Sequence, residues 1–486
     1  MNTIIALIRP LMTTKERRYV LLGITSGYML IQLLSLPVAL SVPTLAQHFH
    51  VEIAEASWIV IAYLLGLGSC VLLAARFGDK YGHVRVFFIG IVISTIGAFL
   101  ISLSSSLMQI ILWRVLTGVG AALVMGNANA ILAATFPSGL RGRAFSLPIM
   151  GSRLGTLIGL ILFSVFLQFF TWRLIFVAFL PLGLIATLAS IPMLLQKESQ
   201  NPLRSVPIDF IGGGLFVIVA AILILSGNHL HSGEESFTSS DGLKYHLPMH
   251  GLFLLMLGIF ILFERKLSNP LVDVNHFRQK YFSLSIASNA TFHFSMLATM
   301  VLIPILVERG FELEPVWVTV ALVPNQVLGI IIPLIAGWVY DRYQPRMLRP
   351  AAMACIAFGF LAFGLLSNIS PFWAIPVMMI PISVGSAVFN PINNATIMST
   401  LPLNHRGFAS GMLETTRELG HALGATASAT ALSMALPSGL ILLSNFDARS
   451  FYIQGFQSSS MMVVLVMSIG AIMAFVHRDT SKNRTV

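Results

Sequence analysis

Apolar residues run through the chain in long blocks, and polar residues gather in short breaks between them. A helix needs ~20 mainly apolar residues to cross the hydrocarbon of a bilayer. Blocks of about that length lie at 19–44, 57–76, 84–104, 107–134, 143–166, 172–194, 208–227, 248–265, 281–305, 316–338, 348–367, 371–399, 408–434 and 459–477. The pattern predicts an all-α polytopic membrane protein with fourteen transmembrane helices.

The breaks carry a second pattern. With the N-terminus taken as inside, 22 of the 29 Lys and Arg residues fall in inside segments and 4 in outside ones. The other three, Arg114, Arg153 and Arg417, lie within apolar blocks. Cations are retained on the cytoplasmic side of a membrane. A missed or invented block in mid-chain would scramble this alternation, so it supports the count as well as the orientation. The expectation is a multi-pass protein of the cell inner (cytoplasmic) membrane, with both termini cytoplasmic. The run Ile4 to Met12 is short, holds Arg9 and Pro10, and is followed by Lys15, Arg17 and Arg18. It reads as an amphipathic lead-in and not as a cleaved signal. Outside loops are expected at 228–247 and 435–458. The first holds His229, His231, Glu234, Glu235 and Asp241. Its Ser and Gly content reads as a solvated loop before it reads as a metal site.

Composition narrows the function classes. Of the 486 residues, 56% are hydrophobic and only 10% charged, with mean hydropathy +0.85. A soluble globular chain carries roughly 25% charged residues. The net charge of +10 does not imply nucleic-acid binding, because the cations lie in short clusters between apolar blocks. Cys70 and Cys355 sit inside such blocks and read as packing residues. The chain has no HExxH, GxSxG or GxxxxGK[ST] and no Cys/His metal spacing, so neither an enzyme, a metal site nor direct ATP drive is expected.

Two turns resemble one another. ARFGDKYGHVR, from Ala75 to Arg85, and GWVYDRYQPRM, from Gly337 to Met347, each hold an Asp, a cation and a Tyr in sequence. Each joins the second and third block of a six-block unit. Duplicated six-helix halves are a transporter feature. The organisation expected is a cytoplasmic segment 1–18, a bundle 19–195, two inserted helices within 208–265, a second bundle 281–478 and a tail 479–486.

The chain resembles the major facilitator superfamily, and within it the fourteen-spanner drug:proton antiporter group (EmrB/QacA-type). The motifs that carry this are GDKYGHVR, LWRVLTGVGAA from Leu112 to Ala122, RGRAFSLPIMGSRLGTLIGL with TWRLIFVAFLPLGL, NPLVDVNHFRQKYF and RGFASGMLETTRELGHALGA, in family order. The chain departs from the pattern in the first helix, where Leu34 and Ala39 stand in place of an Asp and an Asn. It departs again in the fifth, where Thr156 follows Gly155 and Leu160 follows Gly159. The resemblance implies the major facilitator fold, two six-helix bundles plus two inserted helices. It also implies a coupling or gating role for Arg114, and a cytoplasmic gate at Asp79, Lys80, Gly82, Arg85, Asp341 and Arg342. Gln344 replaces the turn glycine in the second copy. Some members of this group work with a periplasmic adaptor protein and an outer-membrane channel.

An ionisable side chain at the bilayer centre is costly unless paired or hydrated, and so marks function. Arg153 lies ten residues beyond Arg143, ~15 Å along a helix. It could fork onto a substrate carboxylate or phosphate, or anchor a neighbouring helix. Glu414, Arg417, Glu418 and His421 recur at helical spacing and share one side of a helix. They read as a proton relay, or as a neutralised network that fixes helix packing. His293 can titrate or serve as an interior donor. Gln32, Asn325, Gln326, Asn393 and Asn394 suit a hydrated cavity, or bind helix to helix. The function expected is a proton-coupled secondary active transporter exporting a small amphipathic molecule, a drug or metabolite, by alternating access. Its energy source is the proton gradient, with no other cofactor. Two alternatives remain: an importer or uniporter of a small anionic or zwitterionic solute, and a non-transporting sensor or assembly component.

Overall fold

The computed structural model describes residues 6–35, 38, 41–195, 208–226, 240–267, 270–314, 316–367, 370–402, 405–435 and 445–476. The fold is all-helical. Its elements are α1 (Lys15–Leu33), the short α2 (Val42–Phe49), α3 (Ile53–Tyr81), α4 (His83–Ser102), α5 (Leu107–Thr135), α6 (Arg141–Phe169) and α7 (Trp172–Leu195). Then come α8 (Phe210–Ser226), α9 (Ser240–Glu264), α10 (Lys280–Ile305), α11 (Val316–Tyr343), α12 (Leu348–Leu366), α13 (Ala374–Thr400), α14 (Arg406–Ser433) and α15 (Asn445–Val476).

The blocks marked in the sequence fall on helices, and length and hydropathy support fewer than fourteen of them as membrane spans. Among the described residues, eleven helices are long and apolar enough to cross a membrane. The three that fall short do so for visible reasons. α1 opens on Lys15, Glu16, Arg17 and Arg18. α8 has 17 residues. α14 carries Glu414, Arg417 and Glu418 within one stretch. The first block, 19–44, is not one helix. α1 ends at Leu33, and α2 restarts with Pro43 in its first turn, where a missing N–H costs nothing. The outer loop expected at 228–247 is shorter, because α9 already begins at Ser240. His229, His231, Glu234 and Glu235 lie outside the described residues, as do Ala39, Lys197, Arg204 and the segment from 477 onward.

The two halves pack alike. In the first, α3 and α4 lie on α5, α1 on α6, and α7 on α1 and α4. In the second, α11 and α12 lie on α13, α10 on α14, and α15 on α10 and α12. Small residues permit the closest approaches. Gly155 of α6 meets the Met29 carbonyl of α1, and Gly424 of α14 meets the Phe294 carbonyl of α10. Between the halves, α6 packs on α11 and α14 on α3. α8 and α9 pack on each other, and α8 also packs on α3.

The core divides unevenly. One apolar cluster runs through the first half and crosses to Phe282, Ile286, Leu401, Phe408 and Met412 of the second. A separate cluster fills the rest of the second half, with Phe292, Ile303, Phe360, Phe363 and Met467 among its members. The shared core lies at the cation-rich end of the bundle. Dispersion and apolar burial therefore close the halves together at that end.

Candidate transport site and the two Asp turns

The α14 sequence ETTRELGH places four ionisable groups on one helical face. The structure joins them into a chain. Arg417 Nη1 lies 2.7 Å from Glu414 Oε2, and its Nε lies 3.0 Å from Glu418 Oε1. The guanidinium thus separates the two carboxylates. Glu418 Oε2 lies 3.7 Å from His421 Nδ1, and His421 Nε2 lies 3.2 Å from His293 Nδ1 on α10. At the other end, Asn129 of α5 donates from Nδ2 to Glu414 Oε1 at 2.8 Å. The Tyr28 phenol of α1 lies against Asn129 and Glu414, and Arg417 Nη2 reaches Met125 Sδ of α5 at 3.0 Å. The network therefore spans both halves, through α1 and α5 on one side and α10 and α14 on the other.

A second polar chain continues within the second half. Asn289 donates to the Leu413 carbonyl at 2.9 Å and to Thr416 Oγ1 at 3.0 Å. Asn393 donates to Asn289 Oδ1 at 3.2 Å, and Arg349 donates to Asn393 Oδ1 at 2.7 Å. Arg349 is buried, although its place at the start of α12 counts it among loop cations in the sequence.

Arg114 and Arg153 differ in kind. Arg114 is fully buried and donates to two backbone carbonyls, Ile59 at 2.8 Å and Leu34 at 2.7 Å, with the Tyr63 ring centroid 4.4 Å away. It ties α5 to α3 and to the end of α1. Arg153 is half-buried on α6, with its stem across Gly329 of α11. Among the described residues it makes no ion pair or hydrogen bond, yet it lies close enough to His293 to act on it electrostatically. Asn325 and Gln326 lie one turn before Gly329. Both are buried, and their carbonyl oxygens lack hydrogen-bond partners among the described residues. Gln32 is half-buried on α1, one turn after Tyr28. The α14 network and Arg153 both lie where helices of the two halves meet.

At the cation-rich end the two Asp turns reach across to opposite halves. Asp341, at the end of α11, meets the start of α6. Its Oδ1 accepts from Gly142 N at 2.7 Å, and its Oδ2 from Arg143 N at 3.2 Å and Arg143 Nε at 2.9 Å. This is an anion at a helix N-terminus. Asp79, at the end of α3, lies against Gly407 in the first turn of α14. Its side-chain neighbours are the Arg76 guanidinium, with Nη1 at 3.7 Å, and the His83 imidazole, with Nε2 at 3.3 Å. Gly82 takes φ +96° in the first turn, and Gln344 takes φ +44° in the second. Lys80 and Arg342 lie over Tyr81 and Tyr343 on their own turns, and Arg85 is exposed. Of the six residues expected at a gate, the two carboxylates reach the facing half.

Near the Asp79 turn, His276 of the segment before α10 meets His405 at the N-cap of α14. His276 Nε2 lies 3.3 Å from His405 Nδ1 and 3.7 Å from Asp273 Oδ2. Burial and the neighbouring His405 push the His276 pKa down. Among the described residues, no group of three or more His, Cys, Asp or Glu side chains could hold a metal ion.

Comparison with known proteins agrees with this architecture. Residues 21–425 match the family model described as Major Facilitator Superfamily. The riboflavin transporter RibZ of Clostridioides difficile is 25% identical over 472 residues, covering 96% of this chain and 99% of that protein. The tetracenomycin C resistance and export protein of Streptomyces glaucescens is 24% identical, covering 83% of this chain and 74% of that one. Among solved structures, the proton:xylose symporter XylE superposes with a TM-score of 0.62 at 14% identity, over 95% of this chain and 96% of that chain.

Proposed function

The chain belongs to the major facilitator superfamily, and from that premise we propose that it is a proton-coupled secondary transporter that exports a small amphipathic molecule. The observation that carries the proposal is the chain Glu414–Arg417–Glu418–His421–His293 at the boundary between the halves, buried at Glu414 and His293 and half-buried between them. Charges at such depth are costly unless they pair or line a hydrated path. Here each carboxylate is held by one shared Arg, and the chain ends on two imidazoles, one from α14 and one from α10. Protonating Glu418 would weaken its bonds to Arg417 and His421 and release α14 against α3 and α5. That is a local event able to bias two global states.

The same proposal takes the chain as a fourteen-span protein of the EmrB/QacA-type group in the inner membrane, with both termini cytoplasmic. α1, α8 and α14 then cross in the shelter of the apolar helices around them. Asp79 and Asp341 form the cytoplasmic latch, and the proton gradient is the energy source. Partners are the lipid bilayer, the transported molecule and, as for some members of that group, a periplasmic adaptor. Two relatives lend support by name, one as a riboflavin transporter and one as a resistance and export protein.

One observation favours a second reading, an importer or uniporter of an anionic or zwitterionic solute. Arg153 faces the boundary without a carboxylate partner among the described residues. Both deep glutamates are already engaged by Arg417. The test is a substrate screen in a transporter-deficient strain, with and without a proton uncoupler. Export predicts lower accumulation of a screened compound that rises again with the uncoupler. Unchanged accumulation across amphipathic compounds, with or without uncoupler, contradicts it.

A further inference from the structure

The helices α8 and α9 belong to neither six-helix half. Their ends at Asp209 and Glu264 approach one another at the cation-rich end. Asp209 Oδ1 accepts from Gly212 N at 2.8 Å. Its other oxygen and Glu264 Oε1 converge over Gly212, where a Cβ would collide with both. Glu264 is 2% exposed, and its second oxygen accepts from Val272 N at 2.9 Å. Val272 lies in the connector that leads to α10. On the opposite side of that connector, Arg76 donates to the Pro270 carbonyl at 2.9 Å and to the Leu271 carbonyl at 2.9 and 3.3 Å. Leu271 is buried in the shared core. Arg76 also faces Asp79, and Asp79 lies against Gly407 of α14. Phe210 of α8 meets Phe77 of α3 with ring centroids 6.4 Å apart.

The other half shows what this arrangement adds. The segment before α1 also holds a Pro–Leu pair, Pro10–Leu11, matching Pro270–Leu271. Leu11 is buried as Leu271 is. Arg143, the partner of Asp341, donates to the Leu7 carbonyl at 3.4 Å, as Arg76 donates to Pro270 and Leu271. The Met12 carbonyl is held by Arg18 of α1 at 2.7 Å. The equivalent place, Val272, is held by Glu264 of the inserted pair.

We infer that the inserted pair α8–α9 is a clamp on the Asp79 turn, acting through Glu264, the connector 270–272 and Arg76, and that it stabilises the state closed at the cation-rich end. Glu264 is a positioning residue in this scheme and touches no substrate. The inference rests on alternation between conformations, which family membership implies. It does not rest on proton coupling or on the transported molecule.

Spin labels at Tyr81 and Met347, both exposed at this end, report its opening in a background where Cys70 and Cys355 are Ala. In Glu264→Ala, the ratio of long to short distances should rise about fivefold, the factor that goes with one net hydrogen bond. Glu264→Gln keeps an acceptor oxygen and should stay within about twofold of the parent. Leu271→Ala withdraws the buried anchor without touching a charge and should shift the ratio in the same direction. It decides the matter should Glu264→Ala fail to insert. An inserted alanine variant with an unchanged distance distribution overturns the clamp, even if its melting temperature falls.

Discussion

Asp341 and Asp79 occupy equivalent turns of the two halves, and each meets the first turn of a helix from the other half. Asp341 closes on three hydrogen bonds, two of them from backbone N–H groups of α6. Asp79 has two looser partners, a guanidinium and an imidazole, both from its own side of the boundary. One residue explains much of the difference. α6 opens Arg141–Gly142–Arg143, while α14 opens Arg406–Gly407–Phe408. Where Arg143 donates from Nε to Asp341, Phe408 offers a ring, and Arg76 lies over it at 5.7 Å. The first-half turn thus gives up a direct ion pair across the boundary and takes instead an apolar joint and the connector before α10. One contact is held by an ion pair buried to 1% exposure on the Asp side. The other can be released by moving a segment.

The largest effect should come from breaking the tighter contact. Asp341→Ala leaves Arg143 and the α6 N–H groups unpaired, and should cost about 3–5 kcal/mol of stability, the range for losing one partner of a buried ion pair. Unfolding of the purified protein in detergent measures it. Asp79→Ala should cost about 1–2 kcal/mol, as for loosely paired polar contacts. Equal losses, or a larger loss at Asp79, would erase the comparison. Smaller again is the backbone term. Gln344 holds a left-handed conformation that glycine adopts freely. Gln344→Gly should therefore raise stability by about 0.5 kcal/mol after the entropy of the unfolded chain is counted, while Gly82→Ala should lower it.

The smallest effect is a pH dependence on the Asp79 side. Burial and His405 push the His276 pKa below its ordinary value, so the folded state resists the proton more than the unfolded state does. The stability held there is complete above about pH 6.5, the ordinary imidazole value, and erodes as pH falls below it. His276→Gln should flatten the melting temperature between pH 7 and 5, relative to the parent. A parallel slope in both proteins would remove His276 from the joint.

Much of this was legible before the structure. Long apolar blocks, read with the loop cations, located every long helix, because helix length is set by bilayer thickness. The Glu414–His421 series was legible because helical spacing alone puts those residues on one face. Their partners were not. Tyr28, Met125 and Asn129 come from α1 and α5, and nothing local to either helix marks them as facing α14. Arg349 was hidden by its position: two residues into α12 it counts as a loop cation, and only packing against Asn393 and Ser285 shows it as an interior one. The break between α1 and α2 was hidden by hydropathy, which continues through a helix end. The prolines at 37 and 43 carried the missing signal.

The central claim is that the chain of ionisable groups on α14 links proton movement to transport. Inverted membrane vesicles loaded under an imposed pH gradient, with a substrate found in the screen, test it directly for the parent and for Glu418→Gln. The account predicts gradient-driven uptake in the parent, and in Glu418→Gln a flux that persists down the substrate gradient but no longer responds to pH. Gradient-driven uptake of equal size in both would contradict it.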